Sequence, residues 1–295
     1  MVTKNRHSIY PIISCLIAAT LWGLLWYPLR ILESMGISGL WASILIYISA
    51  LVPILPGMYS RRHDLFQQPL TFILLGTSAG WANLGFILAV LEGNIVRVLL
   101  LFYLSPVWTV LLGRLLLKEK FSQQALLSIL LAMSGAFIML WMPGMDIPFT
   151  AGPADTLAIS AGMAFSFMNV FIRKSGEKPL VLKMSVTCIG VLAFCICGVL
   201  LLQPVLPVLT IESTALAVGL GLIGMLTMTF TAQYGVTHLP VHRSAVIFLF
   251  EIVAGAVSAA LLTDEIMTMQ ELLGGILVIV SAWLTVQKSL EVKMG

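Results

Sequence analysis

The chain has 295 residues, of which 59% are hydrophobic and 10% charged, and its mean hydropathy is +1.04. A soluble domain carries about 25% charged residues because its surface must be solvated by water. This composition excludes a soluble globular protein and indicates that lipid covers most of the surface. The net charge of +3 is small, so the distribution of charge along the chain carries more information than its total.

Ten apolar stretches follow one another, each long enough to cross a bilayer as a helix. The N-terminal stretch is too long for the hydrophobic region of a signal peptide, so we predict it as the first transmembrane helix. Charged or helix-breaking residues separate the stretches, and the longest connection, residues 143–154, lies midway. The predicted spans are residues 9–32, 39–59, 69–91, 95–116, 122–142, 155–173, 182–202, 212–236, 244–262 and 268–287.

The basic residues test this arrangement, since cytoplasmic segments of membrane proteins are enriched in Lys and Arg. With the N terminus inside, all of the 16 Lys and Arg residues except Arg30 and Arg97 fall in cytoplasmic segments. A wrong number of spans would mix the two sides from the error onward. We therefore predict an all-α, multi-pass protein of the cell inner (plasma) membrane, with ten helices and both termini in the cytoplasm.

The two halves of the sequence align with each other. In the first span of each half, Trp22 aligns with Phe165. Because five helices are an odd number, the second copy must cross the membrane in the opposite sense. We predict two inverted five-helix repeats, residues 9–142 and 155–287, an architecture used by alternating-access transporters; the alternative is a duplication that serves only packing. One offset superposes three further pairs: Arg97 on Arg243, Ser105 on Glu251, and Glu119 on Glu265.

Two long segments resemble EamA-type members of the drug/metabolite transporter superfamily. They read LSPVWTVLLGRLLLKEKFSQQALLSILLAMSGAFIML and FLFEIVAGAVSAALLTDEIMTMQELLGGILVIVSAWL, and AATLWGLLWYPLR and GMAFSFMNVFIRK resemble the opening helices of the two repeats. The resemblance implies ten helices around a central cavity and export of amino acids or other small metabolites without ATP. Members of the family usually carry Pro after the second-copy Glu, whereas Ile252 follows Glu251 here, which predicts a milder kink in the ninth span.

Glu251 is the one carboxylate that we place within an apolar span. Ionisable groups at membrane depth are costly and usually face a cavity, so Glu251 is a candidate site for a substrate ammonium or a proton; the alternative is an interfacial Glu bonded to a neighbouring helix. Arg97 and Arg243 can pair with a substrate carboxylate or extend to the interface. For Glu119 and Glu265, at the far ends of the same two spans, we predict gate or loop contacts.

Aromatic and amide side chains within the spans are candidates for lining the cavity, because buried amides need partners and Trp81, Tyr103 and Trp108 lie mid-helix, too deep for an interfacial belt. Packing against neighbouring helices is the alternative for each aromatic residue. Pro28 and Pro106 interrupt helix hydrogen bonding and are the candidate hinges. The predicted lining residues are Trp22, Trp26, Trp81, Asn83, Tyr103, Trp108, Asn169, Gln233 and Tyr234.

Several chemistries find no support in the sequence. No G-x-x-x-x-G-K-[ST] motif is present, so we expect no nucleotide hydrolysis and no cofactor. His238 and His242 are separated by Pro240, which spoils the helical presentation of a metal pair. The basic residues are spread over many loops, which argues against nucleic-acid binding, and no reactive group of side chains indicates an enzyme.

We therefore predict a secondary transporter that exports amino acids or similar small amphiphilic metabolites by alternating access. Either proton coupling or passive facilitation fits the sequence. The predicted partners are the small-molecule substrate, protons and the lipid bilayer, with the chain a monomer or homodimer. The alternatives are an exporter of drugs, lipophilic cations or lipid-linked cargo and, more remotely, a membrane enzyme or sensor.

Overall fold

The computed structural model describes residues 9–141, 152–263 and 267–291, with side chains described as far as residue 285. Within these ranges the regular structure is entirely helical. A π-helical segment, Leu220–Met225, joins α11 to α12. The helices are α1 (Tyr10–Leu24), α2 (Trp26–Ser34), α3 (Gly39–Ser60), α4 (His63–Gln67), α5 (Pro69–Glu92), α6 (Ile95–Phe102), α7 (Ser105–Leu116), α8 (Gln123–Leu140), α9 (Pro153–Lys174), α10 (Leu180–Leu202), α11 (Ile211–Gly219), α12 (Leu226–His238), α13 (Val241–Phe248), α14 (Phe250–Leu262) and α15 (Met269–Glu291).

Nine stretches of the described chain are long and apolar enough to cross a membrane. The ends of these stretches lie within a helical turn of the ends of the first nine predicted spans. The agreement arises because polar caps and prolines, which stop a helix, also mark the limits of an apolar run. The tenth predicted span corresponds to α15, whose Met269–Thr285 part is a shorter apolar helix. The prediction of an all-α membrane protein is confirmed, whereas the ten-helix count and the orientation stay predictions.

Three spans are each built from two helices that meet at a short interruption. The first span breaks at Leu25, the fourth between Phe102 and Ser105, and the ninth at Leu249. Pro106 lies in the first turn of α7, where a missing backbone N–H costs nothing because that donor has no helical partner. The ninth span breaks without a proline, and one residue interrupts it instead of the two that interrupt the fourth.

Helix packing relates the two halves of the chain. The pair α5–α9 corresponds, when the halves are exchanged, to α12–α1, and α7–α9 corresponds to α14–α1. The pairs α8–α15 and α3–α10 correspond to themselves. The contacts between the halves therefore occur in matched pairs. In one such pair, α1 and α9 each pack against a broken span of the other half.

Glycines set the closest approach of the helices. A Cβ atom on Gly190 of α10 would lie 2.0 Å from the carbonyl oxygen of Gly76 on α5. On the peripheral pair α8–α15, a Cβ atom on Gly274 would lie 2.5 Å from the carbonyl oxygen of Gly135. Lipid tails are as apolar as leucine, so helices in a bilayer gain stability chiefly by close contact of small residues. These glycines therefore determine how tightly the two helices of each pair pack.

Candidate functional site

Four aromatic rings from four different spans meet at the centre of the bundle. Trp22 of α1 contacts Phe248 of α13 and Phe165 of α9, with ring centroids 5.0 and 5.9 Å apart. Phe102 of α6 lies 5.6 Å from Phe165. Mostly edge-to-face contacts of this kind stabilise the packing beyond simple burial. Trp22 and Phe165 are aligned positions of the two halves, and so are Phe102 and Phe248, so the cluster consists of two equivalent pairs.

A small cavity adjoins this cluster where the fourth and ninth spans break. About 10 Å³ of it is open to the centres of water-sized molecules, which is room for about one water molecule. Broken helices near the bilayer midplane are a common place for transporter binding sites, because irregular backbone is tolerated there only beside a cavity. The cavity is lined by Phe102, Tyr103, Ser105, Thr109, Phe165, Ala245, Phe248, Leu249 and Glu251.

One carboxylate dominates the polar chemistry of this cavity. The Tyr103 hydroxyl donates a hydrogen bond to Oε1 of Glu251, at an O–O distance of 2.5 Å. The geometry follows from the helix breaks, since Tyr103 lies in the interruption of the fourth span and Glu251 is the second residue of α14. Ser105 and Thr109 add two buried side-chain hydroxyls, and no Lys or Arg of the described chain is part of the lining.

Small residues let α1 and α9 press against the broken spans. The Ser166 hydroxyl donates to the carbonyl oxygen of Ser105 at 2.7 Å. On α1, a Cβ atom at Gly23, the position aligned with Ser166, would lie 2.5 Å from the carbonyl oxygen of Glu251. A Cβ atom at Gly162 would lie 2.5 Å from the carbonyl oxygen of Phe102. Contacts at aligned positions therefore hold both broken backbones in place beside the cavity.

Glu119 anchors a polar network at one end of the bundle, which is the predicted cytoplasmic end. Lys118 has a left-handed backbone with φ 55°, and the amide of Glu119 donates back to the carbonyl of Gly113 at 3.1 Å. This left-handed ending of α7 turns the chain towards α13. Oε2 of Glu119 accepts from the backbone amide of Val241 at 3.0 Å, and Oε1 lies 3.5 Å from Nε of Arg173. The carboxylate thereby joins the ends of α7 and α9 to the start of α13.

The same network extends to α10 and α12. The Arg173 guanidinium donates to the carbonyl of Thr237. Lys183 is fully buried, and its Nζ donates to Oγ1 of Thr237 at 2.8 Å and to the carbonyl of Gly176 at 2.7 Å. A cation at the C-terminal end of a helix is stabilised by the carbonyls that lack helical partners. These bonds close the bundle between the central cavity and this end.

A bidentate ion pair joins two spans at the opposite end. Nε and Nη2 of Arg97 lie 2.8 and 2.5 Å from the two carboxylate oxygens of Asp155. Asn94 caps α6 by accepting from the amides of Val96 and Arg97, which positions the arginine at the first turn. Asp155 lies in the first turn of α9, where a carboxylate is favoured by the helix dipole. The pair connects the starts of α6 and α9 above the cavity.

Of the predicted lining residues, Tyr103 and Glu251 line the cavity and Trp22 packs at its edge, whereas the others lie elsewhere. Trp108 Nε1 is buried without a hydrogen-bond partner in the described ranges, and Tyr234 stacks on Phe230 and His238 of its own helix. Arg243 lines a second cavity, Pro28 lies in α2, and Glu265 falls outside the described residues. Five more form hydrogen bonds: Trp26 to Ser258, Trp81 to Ser160, Asn83 with Cys195, Asn169 to the Phe165 carbonyl and Gln233 to Thr187.

Sequence reasoning missed several residues that the structure brings into the site. Asp155 was visible only as the edge of a predicted span, and nothing in the sequence pairs it with Arg97. Phe165 had one usable signal, its alignment with Trp22 across the repeat. The sequence places Lys183 only among the basic residues of the cytoplasmic segments, whereas in the structure its side chain is fully buried.

Nine stretches of the described chain that are long and apolar enough to cross a membrane, with broken helices beside a central cavity, define a polytopic helical membrane protein. The sequence profile of the EamA-like transporter family matches residues 9–141 and 152–287. The chain belongs to this family, and the resemblance seen in the sequence is confirmed. Members of the family are membrane transporters of the drug/metabolite type.

Two further comparisons are consistent with this assignment. Protein RarD of Escherichia coli (strain K12) is 27% identical over 119 residues, which are 39% of this chain and 38% of RarD, so the match spans well under half of that relative. One crystal structure superposes with a TM-score of 0.79 over 95% of this chain and 96% of the other, at 15% identity. At that identity the second likeness establishes a shared fold.

Proposed function

We propose that the chain is a secondary transporter that exports amino acids or similar small amphiphilic metabolites across the cell inner membrane by alternating access. The observation that carries the proposal is the Glu251 carboxylate in an aromatic-lined cavity, with a polar closure at each end of the bundle. A substrate ammonium would replace the Tyr103 hydroxyl or bind beside it. The ring faces of Phe102, Phe165 and Phe248 would cover the apolar part of the solute.

The proposed mechanism uses two inverted five-helix repeats, residues 9–142 and 155–287, of a ten-helix bundle with both termini in the cytoplasm. The matched packing of α5–α9 with α12–α1 supports it, as does the pairing of equivalent rings in the aromatic cluster. In a symmetric arrangement of this kind, breaking either closure gives states of similar energy. The Arg97–Asp155 pair would part on opening to the outside and the Glu119–Arg173 network on opening to the cytoplasm. The interruptions beside Pro28 and Pro106 are the proposed hinges.

One observation favours a second candidate, the export of lipophilic cations or cationic drugs. The lining holds a carboxylate, whereas no Lys or Arg of the described chain joins it, so a substrate carboxylate finds hydroxyl donors and no cation there. An amino acid and its decarboxylated amine then differ little in their contacts with the site. The two candidate functions therefore differ in whether a substrate must carry a carboxylate to be transported.

Counterflow in liposomes tests the proposal. Purified protein is placed in liposomes loaded with one unlabelled compound, and entry of the same compound in labelled form is followed. The compounds are amino acids and organic cations, with phenylalanine and phenethylamine as a matched pair that differs by the carboxylate. We expect accumulation of a subset of amino acids, its loss with Glu251→Gln, and its retention with Glu33→Gln, which neutralises an exposed carboxylate on α2. Accumulation of phenethylamine or tetraphenylphosphonium alone would establish the second candidate, and no accumulation of either class by folded protein refutes both.

Glu251 is also the proposed site of proton coupling. A carboxylate that binds either a proton or a substrate ammonium exchanges one for the other, so each solute leaving is balanced by a proton entering. An imposed pH gradient should then drive labelled substrate against its concentration gradient in wild-type liposomes. Counterflow that is active but insensitive to the gradient identifies a passive facilitator.

A further inference from the structure

A second, larger cavity lies at the predicted cytoplasmic end of the bundle, between the starts of α8 and α13 and the end of α15. About 210 Å³ of it is open to the centres of water-sized molecules, which is enough for several waters or one compact polar group. It is separate from the central cavity beside Glu251, with which it shares no lining residue in the described part of the chain. Its lining is Lys120, Ser122, Gln124, Ala125, Ser128, Pro240, His242, Arg243, Val246, Leu284 and Thr285.

The charge of this lining is positive. Lys120 and Arg243 contribute cations, and none of the lining residues in the described part of the chain is a carboxylate. Lys120 is exposed and has no hydrogen bond or ion pair with any other residue in the described part of the chain. The nearest carboxylate along the sequence, Glu119, is occupied by the Val241 amide and by Arg173. The starts of α8 and α13 add the positive ends of two helix dipoles.

The rest of the lining is divided between polar and apolar groups. Gln124 Nε2 donates to the carbonyl of Leu284 at 3.4 Å and bridges α8 to α15. Val246 and Leu284 supply apolar surface beside it. The cavity therefore offers cations and a side-chain amide next to hydrocarbon, which suits a group that is anionic at one end and apolar at the other.

The surroundings of the cavity are lipid-facing. Leu127 of α8 is 50% exposed, and Val280 and Trp283 of α15 are 41% and 58% exposed. Tryptophan is enriched at the level of the lipid head groups, and Trp283 precedes the lining residue Leu284. The apolar outer faces of α8 and α15 thus run directly into the cationic cavity at the end of the membrane-spanning region.

We propose that this cavity binds the phosphate of an anionic lipid from the adjacent leaflet, with Lys120 and Arg243 as the cationic ligands. Basic pockets between helix ends on the cytoplasmic side hold anionic head groups for this reason. The phosphate lies between the two side chains, and the acyl chains lie along α8 and α15. The site connects the peripheral pair α8–α15 to α13. The far end of α13 carries Phe248, which lines the central cavity beside Glu251. Free phosphate shares the head-group chemistry and is the other source to be tested.

Native mass spectrometry of the purified full chain measures the binding. The protein is titrated with phosphatidylglycerol and, separately, with phosphatidylethanolamine, and we compare Lys120→Gln with Lys118→Gln. Both changes remove one exposed lysine charge from the same connection, but only Lys120 lines the cavity. Loss of one cation from a lipid-phosphate contact should weaken phosphatidylglycerol binding about five-fold. Lys118→Gln should leave it within two-fold, and phosphatidylethanolamine should bind weakly to all three proteins.

Equal phosphatidylglycerol affinity in the two lysine variants overturns the proposal. Arg243→Gln removes the other cation of the site, but the change can also affect folding. Its phosphatidylglycerol binding is therefore measured only if its thermal unfolding without lipid matches that of the wild type. Millimolar inorganic phosphate forms the second arm. Phosphate could raise the unfolding temperature of the wild type but not of Lys120→Gln, while phosphatidylglycerol leaves the unfolding temperature of both proteins unchanged. That result would exclude the lipid as the source of the bound phosphate group. The measurement is of binding, so its result is independent of whether any solute is transported.

Discussion

The ion pair between Arg97 and Asp155 allows a quantitative prediction about the opening of one mouth. Arg97→Gln leaves the Asp155 side chain, which is 9% exposed, without its cation, and the arginine itself is 19% exposed. Breaking a fully buried pair costs about 3–5 kcal/mol. Partial exposure screens the interaction, so we take about 2 kcal/mol for this pair. In an open state the carboxylate is solvated and the cost disappears, which raises the open population about 30-fold.

A cysteine in the cavity reports that population. Thr109→Cys is placed in a cysteine-free background, and its reaction with a membrane-impermeant maleimide is followed from the predicted outer side. Thr109 is 1% exposed and lines the cavity, so the reagent reaches it only when the mouth opens. Arg97→Gln should raise the labelling rate about 30-fold. Arg30→Gln is the matched control, since Arg30 is an exposed arginine of the same predicted side.

Two results would refute this reasoning. The first is an equal labelling rate in the Arg97 and Arg30 variants, and the second is a rise confined to reagent added from the predicted cytoplasmic side. A double-mutant cycle adds a further condition. Asp155→Asn should open the mouth to a similar extent, and combining it with Arg97→Gln should add little, because the two changes remove one shared interaction.

Two further predictions concern stability in detergent. Gly190→Ala should lower the free energy of unfolding by about 2 kcal/mol or more, because its Cβ atom would lie 2.0 Å from the carbonyl oxygen of Gly76. Gly219→Ala is the control and should not destabilise the protein, since a Cβ atom there has nothing within 4 Å. Equal unfolding temperatures for the two variants would contradict the close packing of α5 and α10. Lys183→Met should lower the free energy of unfolding by about 3 kcal/mol, because it removes the donor to the buried Thr237 hydroxyl and to the half-buried Gly176 carbonyl. The exposed Lys174→Met is its control, and a matching stability for the two would mean that the buried ammonium contributes nothing.

The spans and the position of Glu251 follow from the sequence because the bilayer imposes strong local rules. A helix needs about 20 apolar residues to cross it, and an ionisable residue inside such a run stands out against its neighbours. The family resemblance and the alignment of the two halves also require no knowledge of packing. Together these rules predicted the class of the protein, the interruption of a helix near Pro106 and a carboxylate, Glu251, within an apolar span.

The tertiary structure decided which side chains face the cavity. Helices that are apolar on all sides carry no periodic signal of their rotation, so Trp81 and Gln233 were as plausible in the lining as Tyr103. In the structure, Trp81 and Gln233 instead bond Ser160 and Thr187 on neighbouring helices. The partners of Arg97 and Lys183 were equally out of reach, because Asp155 and Thr237 come from spans that are distant in the chain. Contacts between helices depend on rotation and crossing geometry, which arise only when the whole bundle packs.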